Sequence, residues 1–112
     1  MDIIDSNLPP RTKKLPYYYF ASFLVLKYNE LKKMKKGQKQ GLKFKIAYKE
    51  LLIKLNIKTD FKKYPSRLKN QLQKILTFFK KIGLISSFTP YSEDVEIKIN
   101  SDFFEDYEIY NI

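Results

Sequence analysis

Residues Pro65 to Gly83, PSRLKNQLQKILTFFKKIG, constrain the fold of this chain more than any other stretch. Leu68, Leu72, Ile75, Phe79 and Ile82 recur at steps of four, three, four and three. That spacing lines one side of a long helix with apolar side chains. The opposite side carries Ser66, Arg67, Asn70, Gln73, Lys74, Thr77 and Lys81, cations and amides with no carboxylate among them. Pro65 suits the first helical turn, where its missing N–H costs nothing. A helix that buries one side and offers an acid-free donor surface on the other suits a nucleic-acid groove.

The rest of the composition narrows the field. A chain of 112 residues predicts one domain, and 44% apolar with 16% aromatic residues is enough for a real core. There is no Cys, so neither a disulfide framework nor a thiolate metal site can form. There is no His either, which removes the usual zinc ligand, the usual general base and the physiological pH switch. Histidine-dependent catalysis is excluded, and neither an enzyme nor a cofactor is expected. The longest nearly uncharged apolar run, Leu15 to Leu26, is too short to span a bilayer and contains Pro16 and three tyrosines. The opening MDIIDSNLPP begins with acids and lacks a basic region, so the expectation is a cytoplasmic protein without a secretory signal.

Charge is placed unevenly. Residues 11–81 hold 21 of the 22 Lys and Arg against only Glu30, Glu50 and Asp60, a net of +18. Residues 82–112 hold Lys98 against seven acids, a net of −6. A basic body of this kind points to a polyanionic partner, although lysine-rich solvated faces also serve solubility alone.

Along the chain, residues 1–16 contain Pro9, Pro10 and Pro16 and read as an extended arm, with the basic RTKK of Arg11–Lys14 either a tether or an ordinary linker. A helix is predicted from Tyr17 to about Lys35, with Phe20, Phe23, Leu24, Leu31 and Met34 on or near one side and Gly37 as its stop. Leu42, Phe44 and Ile46 alternate with Lys43 and Lys45, the period of a short strand. A second helix follows over Ala47–Leu55, with Tyr48, Leu51, Leu52 and Leu55 on one face. After the helix from Pro65, Leu84–Phe88 and Val95–Asn100 read as two strands joined by a hairpin loop, Thr89–Asp94. The order helix, strand, helix, helix, strand, loop, strand predicts an α+β winged helix-turn-helix domain over residues 17–100. Residues 101–112 form an acidic, aromatic tail that packs back or stays loose.

In such a domain the third helix enters the major groove through its N-terminal half. Arg67, Asn70 and Gln73 are the candidates for base edges, because guanidinium fits guanine O6/N7 and a side-chain amide fits adenine N6/N7. Ser66 projects with them, and Lys69, Lys74 and Lys81 are candidates for phosphates. Lys62 and Lys63 precede the helix, while Lys43, Lys45 and Lys49 flank the start of the second helix, where a DNA backbone would pass. The hairpin fits less well, since Glu93 and Asp94 put acid where DNA-gripping wings carry Lys or Arg. It either stays off DNA or serves a protein partner. The aromatic run Tyr17–Phe20 points in several directions on a helix and belongs to core or interface. The acids Asp102, Glu105, Asp106 and Glu108 lack the ligand spacing of a calcium loop, so no metal is expected.

The segment Lys74 to Phe88, KILTFFKKIGLISSF, resembles the C-terminal winged-helix domain of plasmid replication initiator proteins. In that family a helix runs through x-x-G-h-I-S-S/G-W into the wing, and Lys81-Ile82-Gly83-Leu84-Ile85-Ser86-Ser87-Phe88 is similar, with Phe for Trp. Ile46–Ile57, IAYKELLIKLNI, is similar to the family's I-x-x-L-L-x-x-L-G-I helix, with Asn56 in place of Gly. The resemblance implies sequence-specific binding of repeated double-stranded DNA sites by a replication-initiator-like protein or transcriptional regulator of a plasmid or phage. Full initiators are longer and carry a second domain. An alternative is a phage or plasmid protein of the same fold that inhibits a host protein or ribonucleoprotein, such as a defence nuclease, through the acidic wing or the tail. A homodimer is the remaining partner class; a membrane partner is not expected.

Overall fold

The alternation and helical spacing read above resolve into seven elements in a computed structural model that describes residues 2–34 and 42–104. In chain order they are α1 (Asp2–Asp5), α2 (Leu15–Met34), β1 (Lys43–Ala47), α3 (Tyr48–Lys54), α4 (Pro65–Ile82), β2 (Ile85–Pro90) and β3 (Asp94–Ile99). Residues 101–104 add a helical turn. The fold is α+β, with one antiparallel sheet in the order β1-β3-β2.

Register explains why the sheet has a dry side and a wet side. Phe44 pairs with Ile97 and Ile46 with Val95, and all four are buried. Lys43 pairs with Lys98 and Lys45 with Glu96 on the opposite face. A one-residue slip would exchange the two faces, so the pattern fixes the pairing. Against the dry side lie Phe20, Leu24, Tyr28 and Leu31 of α2, Leu51 and Leu52 of α3, and Leu68, Leu72, Ile75, Leu76 and Phe79 of α4. Each such side chain taken fully out of water contributes roughly 1.5–3 kcal/mol. Leu76 joins the buried stripe of α4, whereas Ile82 at the helix end is only half-buried.

Both α3 and α4 end in the same way. Asn56 (φ 57) and Gly83 (φ 93) adopt the left-handed conformation that terminates a helix. The Ile57 N–H then donates to the Leu52 carbonyl at 2.9 Å, and the Leu84 N–H to the Phe79 carbonyl at 3.0 Å. Asn is among the few residues with a side chain that tolerate this conformation, so Asn56 can end α3 as Gly83 ends α4.

Two expectations need correction. The opening segment is not an extended arm: residues 2–5 are helical and Ile4 is fully buried. The Tyr18 hydroxyl donates to Asp5, and Lys14 lies 3.7 Å from the same carboxylate. That hydrogen bond, with help from Lys14, holds the Asp5 carboxyl below its ordinary range. Second, the strands run further than their apolar residues suggest, so the hairpin turns over Tyr91–Glu93 rather than Thr89–Asp94. Of the two alternatives left open for the tail, its start takes the first and packs back: Phe104 is buried and stacks on Tyr28 with ring centroids 5.0 Å apart. The expected helix stop at Gly37 and the acids Glu105, Asp106 and Glu108 lie outside the described residues. No helix among the described residues is long and apolar enough to cross a membrane.

Candidate nucleic-acid interface

Helix α4 positions the largest part of the site. Its buried stripe turns Ser66, Arg67, Asn70, Lys74, Thr77 and Lys81 to solvent on the far side, and all six are exposed. Gln73 sits at the margin and is half-buried. Among the described residues, no carboxylate forms an ion pair with Arg67, Lys74 or Lys81. The start of the helix adds to this character. Pro65 occupies its first turn, no side chain caps it, and the turn contains no acid. The positive end of the helix dipole is therefore unopposed by any charge of its own. Lys62 and Lys63 are exposed just ahead of it, the Lys63 ammonium lying 5.6 Å from the centre of the Tyr64 ring.

Lys69 departs from its expected role as a phosphate contact. Its ammonium donates to the Ser92 carbonyl at the hairpin tip. It also sits 5.5 Å above the Tyr48 ring and 6.0 Å above that of Phe61. Those rings stack with an interplanar angle of 14°. The lysine is half-buried, and its charge ties α4 to the hairpin and to α3. No periodicity in the sequence marks this, because Lys69 and Ser92 are 23 residues apart. We expect Lys69→Met, which keeps most of the stem, to free the hairpin tip by about 0.5–1.5 kcal/mol. Amide hydrogen exchange at Tyr91 and Asp94 should accelerate; unchanged exchange would show that the tip is held by the strands alone.

The hairpin is held from its other side too. The Lys45 ammonium lies 4.6 Å from the centre of the Tyr91 ring, so this candidate phosphate ligand is engaged at the tip. The Tyr48 N–H donates to the Glu93 carbonyl at 2.9 Å, joining the tip to the start of α3. Lys43 stands apart from the rest of the set. It lies four residues along β1 from Ala47, the partner of Asp94, or about 13 Å at the rise of a strand. Its neighbour in register is Lys98, a like-charged pair that sequence reading did not anticipate. The structure thus leaves Ser66, Arg67, Asn70, Lys74 and Lys81 exposed in one row along α4, with Lys62 and Lys63 exposed just ahead of it, and gives Lys45 and Lys69 internal partners.

No family model, curated protein or solved structure matches the chain.

Among the described residues there is no group of three or more carboxylates placed to hold a metal ion. What the arrangement offers chemically is a row of cationic and amide donors on a rigid helix. Such donors bind and orient an acceptor-rich surface.

Proposed function

We propose that this protein is a non-catalytic, double-stranded DNA-binding winged-helix protein, replication-initiator-like or a transcriptional regulator, reading the major groove with α4. The observation that carries the reading is the outward side of α4, exposed over more than four turns and without a carboxylate. The order α2–β1–α3–α4–β2–β3 with sheet order β1-β3-β2 supports it, being compatible with a winged helix in which α4 would be the recognition helix and the β2–β3 hairpin the wing. In this reading Arg67, Asn70 and Gln73 meet base edges, with Ser66 beside them. Lys62, Lys63, Lys74 and Lys81 neutralise phosphates.

The test is fluorescence anisotropy with a random duplex over a salt series, followed by selection of a preferred site. Binding should weaken steeply as salt rises. On the selected site, Arg67→Ala with Asn70→Ala should cost about 1–3 kcal/mol of discrimination per contact, with little change on random duplex. Unaltered discrimination in a folded double variant would reject this face as the reader.

The acidic hairpin favours a second reading, a protein that grips a host protein or ribonucleoprotein. Glu93 is exposed at a tip that Lys69 and Lys45 hold in place, so acid stands where a wing would meet phosphate. The same titration separates the two, because a protein-only binder shows no salt-dependent affinity for duplex.

A further inference from the structure

An open groove of about 410 Å³ lies beside the end of α3 and the loop into α4. Its floor is apolar, lined by Ile53, Ile57 and Phe61. Ile53 is 75% exposed, more than any other large apolar side chain among the described residues. A lone isoleucine on a surface needs no explanation, but one that shares a concavity with two further apolar side chains does. The rim is cationic. Lys49, Lys58 and Lys62 are exposed there, and none is ion-paired among the described residues. Asp60 also lines the groove, but its Oδ1 already accepts the Lys62 backbone N–H at 3.0 Å.

The groove is built before anything enters it. Asn56 holds its left-handed turn, and the Ile57 N–H donates to the Leu52 carbonyl at 2.9 Å. The Asp60 carbonyl accepts the N–H groups of Lys63 and Tyr64, each at 3.2 Å. Phe61 is steadied by its stack on Tyr48, with ring centroids 6.2 Å apart. Walls fixed in this way spare an occupant the cost of ordering the loop. The chemistry then selects the occupant. A nucleic-acid strand offers phosphates to the lysines but little aliphatic surface to cover Ile53 and Ile57. A neutral apolar ligand covers the floor but leaves three cations without partners. A peptide that carries carboxylates beside branched apolar side chains satisfies both, and its charge also steers the encounter.

We propose that this groove docks a short acidic segment of another protein. Its apolar side chains rest on Ile53, Ile57 and Phe61, and its flanking carboxylates meet Lys49 and Lys58. Lys62 is shared with the phosphate-binding set proposed for α4 and is left unchanged in the test. A phage-displayed library of random short peptides is panned on the full chain without DNA, with counter-selection on Ile53→Gln. An enriched peptide is then synthesised, labelled and titrated by fluorescence anisotropy. Both substituted positions, 53 and 58, are exposed, so folding should hold, and urea midpoints check it. The expected result is a set of peptides that combine Asp or Glu with Leu, Ile or Phe. Binding of the synthetic peptide should weaken about tenfold with Lys58→Glu. Changing the peptide's acids to lysine should recover part of that loss on the variant while weakening binding to the native chain. Four results would each overturn the proposal: no peptide that prefers the native chain to Ile53→Gln, an enriched set without acids, equal affinity for Lys58→Glu, or displacement by polyglutamate as effective as by the peptide itself. Because no DNA is present, the outcome is independent of whether α4 reads a duplex.

Discussion

Phe79→Ala should destabilise the protein by about 3–5 kcal/mol, the largest loss we expect from any single truncation. Phe79 is fully buried and joins α4 to α2 in the core. Its ring meets Phe20 edge-on at 4.8 Å, stacks beside Tyr17 at 6.2 Å and meets its neighbour Phe78 edge-on at 5.5 Å. Removing it takes away the transfer energy of an aromatic ring and leaves a cavity between α2 and α4 that two rigid helices cannot close. Small domains have only about 5–15 kcal/mol of net stability, so the variant should lie near the folding threshold. Urea denaturation measures this as a lowered midpoint with an unchanged slope. Phe78→Ala is the companion variant: its ring is half-buried and the loss should be clearly smaller. Equal losses at 78 and 79 would mean that the helix is rotated from the face described here.

The second large effect concerns binding. Replacing Lys62, Lys63, Lys74 and Lys81 together with Ala should flatten the dependence of log affinity on log salt by about 3.6, at 0.9 for each phosphate lost. Over a change from 50 to 200 mM salt, that is a difference of roughly two orders of magnitude in how far affinity falls. All four side chains are exposed, so stability should scarcely move, and the same urea curve serves as the control. Adding Lys69→Met to the set should contribute little more to the salt slope, since that ammonium faces Ser92 and two aromatic rings. A slope that is unchanged in the quadruple variant would remove duplex DNA from consideration as the ligand of this face.

The contrast between Lys69 and its neighbours shows what the chain makes legible and what it hides. Period alone located α4, α3 and β1, because burial of Leu68, Leu72, Ile75 and Phe79, or of Phe44 and Ile46, is a local consequence of where side chains point. Period also exposed Arg67, Asn70 and Lys74, by placing them opposite the stripe. It left Lys69 off that open side but could not show what its ammonium meets, since the partner lies in a hairpin more than twenty residues away. The N-terminal segment failed for a related reason. Pro9, Pro10 and Pro16 suggested an extended chain, while the decisive interactions, Ile4 in the core and Tyr18 on Asp5, are tertiary. The charge asymmetry was plain in the sequence, but the cationic rim above Ile53 needed the turn at Asn56 to bring Lys49 and Lys58 to one place.

Gly83 carries a consequence for how the molecule comes apart. Its carbonyl accepts the Asn100 side-chain amide at 2.8 Å, and the Asn100 N–H donates to the Leu84 carbonyl at 3.1 Å. The junction between α4 and β2 is thereby stapled from beyond the end of β3. A pull on the helix is passed straight into the far edge of the hairpin instead of being absorbed by a slack connector. The last turn of α4 has no private way to fray, and the two should melt as one cooperative unit.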